Sequence, residues 1–259
     1  MIKHIHPIPA FTDNYIWAIH AAESAQFAVV DPGDADPVFA YAQEHGLQLS
    51  HILITHHHPD HTGGLLKLIE KFDPVVFGPE PSKIKGISQH LHEGDNIEFY
   101  GQQFAVLEVP GHTLDHIAYY SIDGESPILF CGDTLFAAGC GRLFEGSPPM
   151  MVNSLAKLTA LGPQTKVYCT HEYTLANLKF AVAANPNNEE LLERVAKEQH
   201  KRDSDQPTLP STIALELATN PFLRCTDPDL ISQASNHAGT PLSDPTEVFA
   251  SLRSWKDSF

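Results

Sequence analysis

Short runs of branched and aromatic residues, separated by turn-forming residues, recur along the first two thirds of the chain. Runs of this length and composition predict β-strands. The strand-like runs are YIWAI (15–19), FAVVD (27–31), HILIT (51–55), PVVFG (74–78), NIEFY (96–100), QFAVLEV (103–109), HIAYYSI (116–122), PILFC (127–131) and KVYCT (166–170). Three other segments have helical spacing or helix-forming residues: 37–45 with Gly46 as a C-cap, LLKLIEKF (65–72) and MMVNSLAKLTAL (150–161).

The pattern changes after about residue 174. The remaining segments, ANLKFAVAA, NEELLERVAKEQHKR, STIALELA and TEVFASLRSWKD, all show helical spacing, and no further strand is predicted. We therefore expect an α/β catalytic domain over residues 1–173 and a helical C-terminal domain over residues 174–259.

Composition and charge narrow the classes of function. The chain has 259 residues, is 42% hydrophobic and carries a formal charge of −16. This acidity argues against a nucleic-acid or anionic-membrane surface, which depends on dense cationic contacts. No run is long enough to span a membrane, and the N-terminal residues lack the apolar segment of a secretory signal. The four cysteines form no CxxC pair, so we expect reduced thiols and a cytoplasmic protein.

A cluster of histidines raises the expectation of metal chemistry. The stretch THHHPDH at 55–61 directly follows a predicted strand. On an extended segment His56 and His58 point the same way and can converge on one ion, whereas His57 points away. Asp60 and His61 lie where the chain turns, beyond easy reach of the same tetrahedral shell. The spacing therefore suggests two adjacent metal sites.

Three further candidates follow other predicted strands. His112 lies in EVPGHTLDH, Asp133 in LFCGDTLF and His171 in VYCTHEYT, each at the end of a strand, where α/β folds build their sites. One catalytic zinc uses three protein ligands, so seven candidates are too many for one ion. Seven suit two ions that share one carboxylate.

These motifs together resemble a known family. THHHPDH resembles the THxHxDH signature of the metallo-β-lactamase superfamily. Over nearly the whole chain, FTDNY, VDPGD, PGHT, FCGDTLF, GCGRLFEG, HEYT, LPST, NPFLR and LRSWKD are similar to glyoxalase II, the hydroxyacylglutathione hydrolase family. The resemblance implies an α/β fold, the αββα sandwich of the metallo-β-lactamases, with a C-terminal all-α domain.

The resemblance also implies a ligand set and a reaction. His56, His58 and His112 would hold one metal ion, Asp60, His61 and His171 a second, and Asp133 would bridge them. The expected cofactors are two divalent ions, zinc first, with iron or manganese as alternatives. The expected reaction is hydrolysis of the thioester S-D-lactoylglutathione to D-lactate and glutathione by a metal-bridged hydroxide. Asp60 and Asp133 would be the catalytic carboxylates, Asp60 either orienting the hydroxide or serving only as a ligand.

The expected substrate carries two carboxylates, so it requires cations despite the acidic protein. Arg142 in GCGRLFEG follows Asp133 by nine residues, and Tyr173 follows His171 by two. Arg253 and Lys256, three apart on a predicted helix, share a face that would clamp the glycine carboxylate. These four are the predicted substrate-binding residues. Phe144 stands where the resemblance implies a tyrosine in animal relatives, so one hydroxyl contact would be missing.

The sequence is also compatible with other functions. A persulfide dioxygenase shares the histidine and aspartate signature but uses one iron and oxygen. The GCGRLFEG segment and the helical tail favour the hydrolase. A β-lactam hydrolase and a nuclease are disfavoured by the missing export signal and the negative charge, and a non-enzymatic metal scaffold has no use for the cations. Asp31 either supports a metal-bound histidine or caps a turn. A monomer is expected.

Overall fold

The computed structural model describes residues 2–21, 24–123 and 126–259, with the side chain of Lys3 left out. Contacts divide the chain into two compact units. The first consists of Met1–Val109 and Asp115–Gly132, and the second of Pro110–Leu114 and Asp133–Phe259. The predicted domain boundary at residue 173 stays a prediction.

A mixed six-stranded sheet forms much of the first unit. Its strands follow chain order, antiparallel from β1 to β3 and parallel from β3 to β6. Consequently β3, β4 and β5 place their carboxyl ends along one edge. The strands are β1 (Ile2–Ala10), β2 (Asn14–Ala21), β3 (Gln26–Val30), β4 (Gln48–Leu53), β5 (Val75–Pro79) and β6 (Gln89–Leu91).

The first strand was not among the predicted elements. It contains Pro7 and Pro9, which cannot donate a backbone hydrogen bond and weaken a strand pattern. The sheet tolerates them because β1 lies at its edge and pairs with β2 on one side, with Pro7 opposite Trp17 and Pro9 opposite Tyr15.

Three helices of the first unit connect its strands: α1 (Ala35–His45), α2 (Pro59–Thr62) and α3 (Leu65–Phe72). The side chain of Asp34 caps the start of α1, and Gly46 ends the helix in the left-handed conformation, as predicted from its position. The predicted helix over 65–72 is confirmed with the same bounds. Buried apolar residues of α1, α3 and the sheet form one core.

The first unit also contains four antiparallel strands: β7 (Asn96–Phe99), β8 (Gln102–Glu108), β9 (Ile117–Ser121) and β10 (Ile128–Gly132). Neighbours in the chain are neighbours in space, so these strands form a meander. All four lie within one or two residues of the predicted runs.

The second unit is mainly helical. Its strands are β11 (Leu135–Phe136), β12 (Gly139–Cys140), β13 (Lys166–Cys169) and β14 (Ser211–Thr212). Its helices are α4 (Pro148–Thr159), α5 (Thr174–Ala184), α6 (Glu189–Asp203), α7 (Ile213–Thr219), α8 (Pro228–Ala238) and α9 (Pro245–Ser258), with a 3-10 turn at Pro221–Leu223.

One expectation for this region was wrong. No strand was predicted after residue 174, but β14 pairs with β13, with Ser211 opposite Val167. The strand β14 has only two residues, and the second of them, Thr212, also caps α7 by accepting from the Leu215 amide at 3.2 Å. Helical spacing therefore dominates the sequence pattern here. Within the described residues, no helix is long and apolar enough to cross a membrane.

Candidate metal centre

The histidine cluster follows the carboxyl end of β4, at the sheet edge described above. The ring centroids of His56 and His58 are 4.7 Å apart, and those of His56 and His61 are 4.1 Å apart. His56 and His61 are fully buried. Within this cluster, a ligand atom of His56 lies within 4.8 Å of one on His58 and of one on His61. The strand end and the short helix α2 therefore bring these imidazoles together, as the spacing predicted.

Asp31, the residue directly after β3, organises this cluster. Its Oδ1 accepts from the Thr55 amide at 2.8 Å, and its Oδ2 accepts from the Thr55 hydroxyl at 2.7 Å and lies 3.0 Å from Nδ1 of His61. Because a buried carboxylate accepts, the Nδ1 of His61 donates and its Nε2 keeps a lone pair for a metal. Of the two roles left open for Asp31, support of a candidate ligand is the one the contacts show.

Asp60 is oriented by a residue that the sequence did not single out. The side-chain amide of Asn14 donates to Oδ2 of Asp60 at 3.2 Å, and the same Oδ2 lies 3.5 Å from Nε2 of His61. Asn14 is buried and begins β2, within the FTDNY segment, whereas the Asp60 side chain is 41% exposed. Asn14 thus turns this carboxylate toward His61.

His57 has a different partner from the other imidazoles of the cluster. Its Nδ1 lies 2.8 Å from Oδ1 of Asp115. This contact gives Asp115 a partner that nothing in the sequence pattern indicated. His116 instead stacks on His56, with ring centroids 4.6 Å apart, and supports the buried ring of that candidate ligand.

The second unit brings the other three candidates together around one carboxylate. Oδ2 of Asp133 lies 3.6 Å from Nε2 of His112 and 3.3 Å from Nε2 of His171. All three residues are buried, with 4 to 6% of their surface exposed. One carboxylate oxygen therefore lies close to two imidazole nitrogens, and a carboxylate in this position can share metal ions with both histidines.

Backbone contacts fix the ring of His112. Its Nδ1 lies 2.8 Å from the carbonyl oxygen of Arg142, which can only accept, so Nε2 carries the lone pair on the side of Asp133. A side chain at Gly141 would not fit, because its Cβ would lie 2.0 Å from the carbonyl oxygen of Asp133. The glycine in GCGR is therefore required for this close approach.

Polar side chains of the helical part hold the hairpin that follows Asp133. Asn177 donates to the Ala137 carbonyl at 2.9 Å, Asn220 to the Gly139 carbonyl at 2.9 Å and Arg253 to the Cys140 carbonyl at 2.9 Å. Glu216 accepts from the Ala138 amide at 2.8 Å. The helices of the C-terminal region therefore shape the segment that carries Arg142.

The four predicted substrate-binding residues differ in their surroundings. Arg142 is the most open, with a 63% exposed side chain. Tyr173 stacks on His171, with centroids 4.6 Å apart, and stays 37% exposed. Arg253 is buried over the ring of Phe222, at 5.0 Å. Its role in binding substrate stays a prediction, because the guanidinium already contacts the protein.

Burial and neighbouring charges shift the pKa values of Lys256 and Cys140. Burial, followed by Arg253 and Arg142, lowers the pKa of Lys256, whose ammonium lies 5.5 Å from the ring of Phe180. Burial raises the pKa of the Cys140 thiol more than Arg253 beside it lowers it. A protonated thiol is a poor nucleophile, so the raised pKa argues against a nucleophilic role for Cys140.

The donor set fits divalent metal ions. The candidates are imidazoles and carboxylates, and contacts to Asp31 and to the Arg142 carbonyl leave Nε2 of His61 and His112 as the lone-pair atoms. Such mixed nitrogen and oxygen donors suit zinc, iron or manganese. The seven-residue ligand set stays a prediction. Sequence reasoning missed the supporting roles of Asn14 and Thr55, whose partners lie far along the chain.

Comparisons with known proteins first define the class. Residues 16–171 match the model of the metallo-beta-lactamase superfamily. In fold the chain is similar to ETHE1 from Myxococcus xanthus, with a TM-score of 0.66, 22% identity and 99% of each chain covered. It is also similar to TTHA1623, described in a di-iron-bound form, with a TM-score of 0.59 and 25% identity over 85% of this chain and 100% of that one. The expected fold class, an α/β metallo-β-lactamase fold with a helical C-terminal region, is confirmed.

Further matches define the family within this class. Residues 172–259 match the model of the hydroxyacylglutathione hydrolase C-terminus. Hydroxyacylglutathione hydrolase of Nitrosomonas europaea is 50% identical over 99% of this chain and 96% of its own length. The Pseudomonas aeruginosa relative of that name is 53% identical over 98% of this chain and 99% of its own. The chain therefore belongs to the hydroxyacylglutathione hydrolase family of the metallo-β-lactamase superfamily.

Proposed function

We propose that the protein is a metal-dependent thioester hydrolase that converts S-D-lactoylglutathione and related S-acylglutathiones to the free acid and glutathione. S-D-lactoylglutathione forms in methylglyoxal detoxification, whose second step this hydrolysis would be. The observation that carries the proposal is the buried carboxylate of Asp133, which faces the Nε2 atoms of His112 and His171. Family membership adds the substrate class, since the relatives carry the name hydroxyacylglutathione hydrolase.

The proposed ligand set has seven residues and takes two divalent ions. His56, His58 and His112 would hold one ion, Asp60, His61 and His171 the other, and Asp133 would bridge them. Zinc is the proposed ion, with iron and manganese as alternatives, because the donors suit all three. The likeness to TTHA1623, described in a di-iron-bound form, supports a two-ion centre.

When bound, two such ions lower the pKa of a shared water and polarise a carbonyl oxygen. The chain's own residues do the rest. Asp60, with Oδ2 held by Asn14 and 41% exposed, orients the attacking water and takes its proton at the remaining oxygen. The proton leaves with the thiolate, so water is consumed and one acid and one thiol are formed. The rings of His56 and His61 are fully buried, so bulk water does not reach these two donors.

Three cationic side chains and one tyrosine hydroxyl of the second unit are proposed to bind the substrate. Arg142 and Lys256 would bind carboxylates of the peptide, with Arg253 beside them, and Tyr173 would offer its hydroxyl near His171. A planar guanidinium matches a carboxylate in two parallel hydrogen bonds, which suits Arg142 for this role.

The cysteines and the family bear on where the protein acts and with what partners. Reduced thiols and the family favour a cytoplasmic enzyme that acts alone as a monomer on a small molecule, with no nucleic-acid or membrane partner. The free, buried cysteines support a reducing compartment.

A thiol-release assay tests the proposed function directly. S-D-lactoylglutathione is supplied to the metal-loaded protein and free glutathione is followed with a thiol reagent, while oxygen is monitored with glutathione persulfide as substrate. We expect rapid thiol release and no oxygen consumption. Oxygen consumption on the persulfide without thioester hydrolysis would instead identify the dioxygenase.

A further inference from the structure

The carboxylate of Asp257 lies among the proposed substrate-binding cations. We call Arg142, Arg253 and Lys256 the cation cluster. Oδ1 of Asp257 lies 3.0 Å from Nη2 of Arg253 and 3.7 Å from Nε of Arg142. One oxygen of this carboxylate therefore contacts two guanidinium groups.

The two contacts differ in strength. The Arg253 side chain is 5% exposed and also donates to the Cys140 carbonyl, so its guanidinium is held in place beside Asp257. The Arg142 side chain is 63% exposed, Asp257 is 45% exposed, and their 3.7 Å separation exceeds hydrogen-bond length. An exposed ion pair of this kind is weak and easily exchanged. Arg142 is therefore the cation that can be released.

The charges favour an anionic ligand at this place. Two guanidinium groups contact the carboxylate of Asp257. The pKa of the neighbouring Lys256 is lowered by burial first and then by Arg253, with a further contribution from Arg142. Asp257 opposes this repulsion only in part. An incoming carboxylate would relieve the remaining repulsion, and it would compete with Asp257 for Arg142.

We propose that Asp257 sets the affinity for the glycine carboxylate of the substrate, by holding Arg142 in the free protein and releasing it to that carboxylate on binding. This inference rests on the proposed function. Asp257 acts through Arg142 and touches no reacting atom. Its charge weakens binding of the anion, while its bond to Arg253 keeps the cluster in place.

The variant Asp257→Asn separates these two effects. The amide oxygen of asparagine still accepts from Nη2 of Arg253, but the negative charge is gone. If Asp257 only positioned Arg253, this change would leave KM unchanged or raise it. Competition for Arg142 requires KM to fall.

The test compares the wild type with Asp257→Asn on two substrates. One is S-D-lactoylglutathione, and the other is the same thioester with its glycine carboxylate converted to a primary amide. We expect KM for the acid to fall about two- to fivefold, the size of one exposed ion pair, with kcat within about twofold. KM for the amide should be the same in both proteins. An unchanged or higher KM for the acid, or an equal fall for the amide, would overturn the inference.

A control and a binding measurement separate this inference from the proposed function. Asp229→Asn makes the same change of charge at an exposed position in the first turn of α8 and should leave KM unchanged. Calorimetry with glutathione and its glycine amide needs no turnover, and Asp257→Asn should bind only the acid more tightly. If the wild type hydrolyses no thioester, the proposed function fails, while the calorimetry still decides the role of Asp257. If hydrolysis is normal and neither KM nor affinity shifts, only this inference fails.

Discussion

The carboxylate of Asp31 lies 3.0 Å from Nδ1 of His61, and both side chains are buried. Asp31 has a positive φ of 51°, a conformation that few non-glycine residues adopt. The same carboxylate binds both donors of Thr55, next to His56. The residue that follows β3 thus fixes the orientation of the cluster that follows β4.

Asp31→Asn should weaken metal binding. The neutral amide accepts less strongly from His61 and lowers the basicity of that ring. Metal affinity should fall about 10- to 100-fold, as for other residues that orient metal ligands. Titration with a chromophoric chelator measures this. Asp34→Asn is the matched control, because asparagine caps α1 as well as aspartate does. Equal metal affinity in both variants would show that Asp31 has no such role.

Asp133→Asn should remove both metal ions and the hydrolase activity. The substitution keeps the shape of the side chain but replaces the charged oxygen that faces His112 and His171. Elemental analysis and the thiol-release assay give the two readouts, and circular dichroism shows whether the variant is folded. A folded variant that retained both metals and activity would exclude a bridging role.

Phe144→Tyr should tighten substrate binding. The Phe144 ring is 63% exposed and packs edge-on to His112, with centroids 5.2 Å apart. A hydroxyl added at this exposed ring can bond the peptide, so KM should fall by a few-fold, about the worth of one hydrogen bond, with kcat nearly unchanged. Steady-state kinetics decide the matter, and a large loss of kcat would speak against this placement. Phe11→Tyr, at another exposed ring, is the control.

Glu216→Gln should destabilise the protein strongly. Glu216 is fully buried, pairs with Arg194 at 2.6 Å and accepts from the Ala138 amide. Breaking a buried pair leaves an uncompensated charge, so the free energy of unfolding should fall by about 3–5 kcal/mol. Urea denaturation measures the change. Asp36→Asn, which breaks an exposed pair with Lys67 at 3.9 Å, should cost less than about 1 kcal/mol. Similar losses in both variants would contradict the structural role of Glu216.

Stability should decrease at mildly acidic pH. Burial first, and then His45, His6 and His4, lower the pKa of His20 from its ordinary value of 6.5. Protonation of His20 therefore favours the unfolded chain. The stability that the neutral ring contributes to the folded protein is complete above pH 6.5 and is lost as the pH falls through the lower pKa that His20 has in the folded state. Thermal unfolding at pH about 7.5 and about 5 tests this. His20→Gln should narrow the difference between the two midpoints, and the exposed His200→Gln should not. An equal dependence in all three proteins would contradict the assignment.

Much of the fold could be predicted because local patterns determine it. The helix at 65–72 has the predicted bounds, since its apolar spacing is unbroken. The strand β14 could not be predicted from local patterns, because a strand of two residues is too short to show alternation of apolar and polar positions. The edge strand β1 was hidden by its two prolines.

The candidate site shows the same limit. The histidine cluster is readable because its residues are neighbours in the chain. Contacts between distant residues are not: Asn14 and Asp60 are 46 positions apart, and Arg253 and Cys140 are 113 apart. The burial of Arg253 against that carbonyl, and the role of Asn14, follow only from tertiary packing.

The most direct test of the account is a metal titration of the metal-free protein with hydrolysis of S-D-lactoylglutathione measured in the same samples. We predict that thiol release rises with added zinc and reaches its maximum at about two ions per chain. Saturation at a single iron, with oxygen consumed on glutathione persulfide and no thioester hydrolysis, would contradict the account.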